Sequence, residues 1–109
     1  MADSLNNRIA GITNPLTRTT SAGTGVTISK GGFLNDPLGL TRAANGNIIV
    51  ANGADGNLVE ITDNGKQVAK KLVDSSGSPP GSGALFGLQA LGNKVYFVDD
   101  ATNFFNVLE

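Results

Sequence analysis

The chain has 109 residues, of which 39% are hydrophobic and 16% are charged, a composition typical of one globular domain. It contains no cysteine and no histidine, which excludes disulfides, thiolate and imidazole metal sites, cysteine nucleophiles and Ser-His-Asp triads. Because the net charge is -1, the basic residues are spread along the chain and no apolar run could span a bilayer, we expect neither a nucleic-acid nor a membrane partner.

The chain opens with a sequence motif that recurs twice. "MADSLNNRIAGI" at residues 1–12 is similar to "VANGADGNLVEI" at residues 50–61 and to "FVDDATNFFNVL" at residues 97–108. A shift of 48 residues also places Leu40 on Leu88 and Asn52 on Asp100. An internal repeat of this length is typical of solenoids and propellers.

One period contains four strand patterns separated by turn signals. The second pattern, "NIIVA", is almost entirely apolar, as in a strand covered on both faces, and the fourth, "QVAKKLV", is the most polar. We expect exposure to increase from the first strand to the fourth, the gradient of a propeller blade. The strands are predicted at residues 38–43, 47–51, 57–62 and 67–73, with two-residue hairpin turns at Asn45-Gly46 and Asn64-Gly65.

The segment "SSGSPPGSG", residues 75–83, follows the fourth strand. Its composition suits either a connection between blades or a flexible linker between domains. Residues 20–32 are also rich in glycine and lie at the matching point of the preceding period, which favours a connection between blades.

Residues 36–66, "DPLGLTRAANGNIIVANGADGNLVEITDNGK", resemble an NHL repeat, with Pro-x-Gly-apolar, a glycine turn, an apolar strand and a following Asn-x-apolar strand. The resemblance implies an all-β fold of β-propeller blades, each with four antiparallel strands, in rings that commonly have six blades. Two positions depart from the pattern: Asn52 stands where the family usually has Asp, and Arg42 where it usually has an apolar residue.

Strand counting under this resemblance gives two blades per chain. Residues 1–35 hold the third and fourth strands of a split blade with a connection, residues 36–83 one complete NHL-like blade, and residues 84–109 the first three strands of the next. Two blades alone would expose large apolar faces and a sheet edge. We therefore expect a six-bladed ring completed by homo-oligomerisation, as a homotrimer with C3 symmetry. Residues 8–12 and 104–108 compete for one third-strand position, and the sequence does not decide between them.

Antiparallel connectivity places several acidic residues at one end of the strands. Carboxylate and amide oxygens there suit a divalent cation such as Ca²⁺, which needs no histidine or cysteine. The alternative is that the same residues only form turns, as Asp and Asn commonly do. The predicted metal ligands are Asp36, Asn52, Asp99 and Asp100.

Two other groups of side chains stand out. Arg42, in an innermost strand, is expected to line the pore or to pair across an interface. Aromatic residues on the predicted strands are expected in the core between blades rather than at a ligand site. They are Phe86, Tyr96, Phe97, Phe104 and Phe105.

The sequence favours a self-assembling β-propeller fragment that acts as a binding or structural module, with a small-molecule ligand at the central pore as an additional partner. The alternative is a metal-dependent hydrolase, because six-bladed propellers of similar form include calcium-dependent lactonases and phosphotriesterases. Because the N-terminus lacks a basic region and an apolar region, we expect no signal peptide in this chain, and the sequence indicates no cellular location.

Overall fold

Alternating apolar residues and glycine-containing turns give the chain ten β-strands and no helix. The computed structural model describes residues 1–109. It contains no helix that is long and apolar enough to cross a bilayer. The strands are β1 (Ala2–Asp3), β2 (Arg8–Gly11), β3 (Val26–Lys30), β4 (Pro37–Arg42), β5 (Ile48–Asn52), β6 (Asn57–Ile61), β7 (Gln67–Leu72), β8 (Leu85–Leu91), β9 (Lys94–Asp99) and β10 (Phe104–Leu108). The predicted all-β class is confirmed.

The strands form three antiparallel sheets, each built from consecutive segments of the chain. The N-terminal sheet has the order β1-β2-β3, the central sheet β4-β5-β6-β7 and the C-terminal sheet β10-β9-β8. The radius of gyration is 13.9 Å, close to the value of about 13 Å expected for a compact domain of this length. The four strands of the central sheet occupy the predicted positions to within one or two residues.

The two hairpin turns of the central sheet differ from the prediction. In each turn, the N–H of a glycine donates to the backbone oxygen of the residue three positions earlier: Gly46 donates to Ala43, and Gly65 donates to Thr62. The N–H of that earlier residue in turn donates to the backbone oxygen of the residue that follows the glycine. Only the glycine is left-handed, with φ of 88° at Gly46 and 91° at Gly65. These are three-residue loops, in which the single left-handed residue forms a bulge, and not two-residue turns.

The central sheet is covered on both faces, because successive residues of a strand point in opposite directions. Ile48, Val50, Val59 and Ile61 face the N-terminal sheet and pack with Ile9 and Leu34 in a first core cluster. Ala51 and Leu58 face the C-terminal sheet and pack with Ala84, Leu85 and Phe97 in a second cluster. The sheets are therefore stacked, with one apolar core in each of the two interfaces.

Exposure in the central sheet departs from the expected gradient at the first strand. The strand β7 is largely exposed, as predicted, and β5 and β6 are the most buried. The strand β4 is more exposed than either, with Leu40 and Arg42 open to solvent. The reason is that β1, the strand of the N-terminal sheet that contacts β4, has only two residues and leaves Leu40 and Arg42 uncovered.

The aromatic residues also depart from the prediction. Phe97 is buried in the second cluster, as expected for a core residue. Phe86, Phe104 and Phe105 are exposed, and Tyr96 stacks on Phe105 with ring centroids 5.6 Å apart. They lie in the C-terminal sheet, one face of which has no neighbouring sheet.

The recurring sequence motif forms the same local structure three times. In each sheet a strand ends, four residues follow, and the last of these is left-handed just before the next strand: φ is 52° at Asn7, 71° at Gly56 and 59° at Asn103. The strands that follow are β2, β6 and β10. We refer to residues at matching places in these units as equivalent.

Strand pairing corrects one equivalence inferred from the sequence. Asn52 pairs with Pro37, and Asp99 pairs with Leu85 at the same place in the C-terminal sheet. Asp99, and not Asp100, is therefore equivalent to Asn52. The shift arises because the β8–β9 hairpin has a shorter turn than the β4–β5 hairpin.

Candidate functional site

Asn52, a predicted metal ligand, is a buried connector between segments. Its side-chain oxygen accepts a hydrogen bond from the backbone N–H of Asn35 at 3.1 Å, and its amide donates to the backbone oxygen of Phe33 at 2.8 Å. The residue is fully buried. Because both polar atoms already have partners, Asn52 fixes the approach to β4 and has little capacity left for a cation.

Asn52→Ala is expected to lower the free energy of unfolding by about 1–3 kcal/mol, because two partly buried hydrogen bonds to the backbone are lost. Urea unfolding followed by circular dichroism measures the change. Asn93→Ala, in the exposed β8–β9 turn, is the matched control and is expected to change little. Equal effects of the two substitutions would contradict this role for Asn52.

The other predicted ligands differ in exposure. Asp36 is exposed and left-handed, with φ of 56°, and its backbone N–H donates to the side chain of Asn7 at 3.0 Å. Asp99 is buried, and its carboxylate accepts a hydrogen bond from the N–H of Thr102 at 3.2 Å. Asp100 is exposed. No three acidic side chains of the chain lie together as a metal-binding group.

The sequence placed Asp74 among the acidic residues at one end of the strands but not among the predicted ligands, and the structure places it beside Asp99. Hydrogen bonds from Ser76, first from its side chain and then from its backbone, hold the pKa of Asp74 below its ordinary value, and the Asp99 carboxyl group adds a smaller lowering. One carboxylate oxygen of Asp74 is buried and has no hydrogen-bond partner. These two carboxyl groups form the acidic pair that best fits the chemistry of a hard cation, although Ca²⁺ takes six to eight oxygen ligands.

An ion pair that the sequence did not predict joins β1 to β2. Arg8 contacts Asp3 at 2.8 Å, and both side chains are largely buried. The guanidinium of Arg8 and, to a smaller extent, the amide of Asn6 hold the pKa of Asp3 below its ordinary value. Asp3 is equivalent to Asn52 and Asp99, so a polar side chain ends the corresponding strand in all three sheets.

Arg42 pairs with a carboxylate inside its own sheet. Its guanidinium lies 2.7 Å from Asp63 and also donates to the backbone oxygen of Gly46 at 2.8 Å. Both side chains of the ion pair are more than half exposed. An exposed pair of this kind contributes little to stability, which leaves Arg42 available for a further contact.

Two cavities lie where the terminal sheets lack strands that the central sheet has. One, of about 370 Å³, lies between the N-terminal sheet and β4, where a first strand would run. Its lining includes Ile9, Ala10, Leu40, Arg42 and Ile48. The other, of about 250 Å³, lies beside β10, where a fourth strand would run, and Ala69, Lys71 and Leu108 are among its lining residues.

The outer face of the C-terminal sheet, defined by Tyr96, Val98 and Phe105, is apolar and uncovered. Val98 is 42% exposed and Phe105 is 71% exposed. Pairing makes these three residues equivalent to Ile49, Ala51 and Leu58 of the central sheet, all of which pack in the second cluster. A face that is covered in the central sheet is therefore open in its C-terminal counterpart.

No protein-family model matches the chain, and no curated protein matches it at a significant level.

Proposed function

We propose that the chain is a section of an NHL-like β-propeller that assembles with copies of itself and acts as a binding or structural module. The observation that carries the proposal is the open outer face of the C-terminal sheet. Its equivalent face in the central sheet is buried, and so is the equivalent pair Ala2 and Ile9 in the N-terminal sheet, which packs against the first cluster. Exposed apolar faces of this kind mark protein interaction sites.

The two terminal sheets lack different strands, and this complementarity supports a ring. The C-terminal sheet lacks a fourth strand, and the N-terminal sheet lacks a first strand and most of a second. Together they supply the strands of one complete four-stranded sheet, with β1 and β9 as duplicate second strands and β2 and β10 as duplicate third strands. Three copies that join in this way make a closed homotrimer of six sheets, in which every heterologous contact is satisfied.

The native mass of the purified chain tests this proposal. At micromolar concentration we expect about three times 11.1 kDa by sedimentation equilibrium. A dimeric or tetrameric mass would retain self-assembly and reject the six-bladed ring. A mass of 11.1 kDa over the whole concentration range would reject self-assembly.

A second candidate function is metal-dependent hydrolysis, favoured by the buried, unpartnered carboxylate oxygen of Asp74, with the Asp99 carboxyl group nearby. A cation held there would polarise a carbonyl or phosphoryl oxygen of a substrate. If Ca²⁺ binds the folded state and not the unfolded state, we expect it to raise the melting temperature of the chain. Asp99→Asn is expected to remove that rise. An unchanged melting temperature in millimolar Ca²⁺ would rule this candidate out.

A further inference from the structure

The contact between β4 and β8 defines how first strands of adjacent sheets pack. Thr41 Oγ1 accepts a hydrogen bond from the backbone N–H of Ala90 at 3.0 Å. A side chain at Gly39 would collide with the backbone oxygen of Phe86, so the two strands approach as closely as glycine permits. First strands of neighbouring sheets therefore pack backbone against backbone at this point.

The opposite side of β4 has no such neighbour. Leu40 lines the 370 Å³ cavity and is 37% exposed. Its equivalent in the C-terminal sheet is Leu88, because Leu40 pairs with Val50 as Leu88 pairs with Phe97. Leu88 packs against the second core cluster, whereas Leu40 lacks the corresponding strand.

We infer that the β8 strand of a second copy of the chain fills this cavity and packs on β4. The inference rests on the proposed self-assembly and names its contact. Thr41 is equivalent to Gln89, and Arg42 is equivalent to Ala90, by their pairing with β5 and β9. The contact of Thr41 with Ala90 is therefore repeated between chains as a contact of the partner subunit's Gln89 with Arg42.

The chemistry of both positions suits this contact. Gln89 and Arg42 are exposed in the single chain, so no buried group must be uncovered before they meet. The Arg42 guanidinium has five N–H donors, and the Gln89 side chain offers an amide oxygen as an acceptor. The proposal concerns only β8, because the N-terminal sheet has no first strand that would compete with it. In contrast, β2 and β10 are equivalent third strands, and one of them must leave its position in the assembled sheet.

Disulfide trapping between two variants tests the contact, because the chain has no cysteine of its own. Arg42→Cys and Gln89→Cys chains are mixed, unfolded, refolded together and oxidised. Thr41 Oγ1 lies 3.0 Å from the backbone nitrogen of Ala90, so we expect cysteine side chains at the equivalent pair to come within disulfide reach. We expect a covalent dimer from the mixture and little from either variant alone. The double variant Thr41→Cys/Ala90→Cys is the positive control, with its disulfide inside one chain.

The outcomes separate this inference from the proposed function. An oligomeric native mass without the mixed disulfide would overturn the β8 contact and leave self-assembly standing. A single-chain mass without the disulfide would overturn both, and would assign the cavity to a strand from a different protein segment. Leu40→Asp gives a second measurement that does not depend on disulfide geometry. We expect it to reduce the native mass to that of one chain, and an unchanged mass would also overturn the contact.

Discussion

Val98→Asp is expected to leave the chain folded and to abolish its assembly. Val98 lies on the outer face of the C-terminal sheet and is 42% exposed, so a carboxylate there keeps access to water in the single chain. In the assembled ring, that face would be covered as Ala51 is covered by the second cluster, and the carboxylate would lose its hydration without a partner. The native mass should therefore fall from about three chains to one.

Val68→Asp is the matched control for this substitution. Val68 is 45% exposed, lies on β7, the outermost strand of the central sheet, and lines neither cavity. It introduces the same charge at similar exposure and is expected to leave the native mass unchanged. If both variants dissociate, net charge rather than the outer face controls assembly; if neither does, the outer face is not the interface.

Val59→Asp is expected to unfold the chain. Val59 is fully buried in the first cluster between the central and N-terminal sheets. An unpaired carboxylate in such a site costs about 3–5 kcal/mol, a large part of the 5–15 kcal/mol that stabilises a typical domain. Thermal unfolding followed by circular dichroism should show a loss of the cooperative transition or a large fall in its midpoint.

The same Val68→Asp chain serves as the control for unfolding, because it carries the identical substitution on an exposed strand position. A transition like that of the wild type in Val59→Asp would contradict the assignment of Val59 to a closed core. Val59→Ala gives the intermediate case. It removes apolar contacts without adding charge and should lower stability by less than the aspartate does.

The fold was predictable where local chemistry decides it. The apolar run at residues 48–51 and the polar pattern of β7 specify a covered strand and an edge strand, and glycine at positions 46 and 65 specifies the turns. The exposure of β4 was not predictable from its own residues. It depends on which strands the neighbouring sheet supplies, which is a property of stacking between distant segments.

The candidate site was less predictable, because composition does not reveal which oxygen atoms are already occupied. Asn52 resembles a ligand in sequence, but its amide atoms bind the backbone of Phe33 and Asn35. Asp74 follows the polar strand β7 and looks like an ordinary turn residue, yet it lies beside Asp99. The sequence repeat aligns Asn52 with Asp100, and strand pairing moves this equivalence to Asp99, so the repeat marks a shared structural place only approximately and indicates no chemical role.

The build of each sheet from consecutive strands also affects how the chain folds. Within each sheet, the strands that pair are consecutive in the sequence, so each sheet can form early without waiting for distant segments. The two core clusters are the main links between sheets, and the chain behaves as a short one-dimensional array with nearest-neighbour coupling. Unfolding then proceeds from the terminal sheets inward. The central sheet, held on both faces, is the last to open.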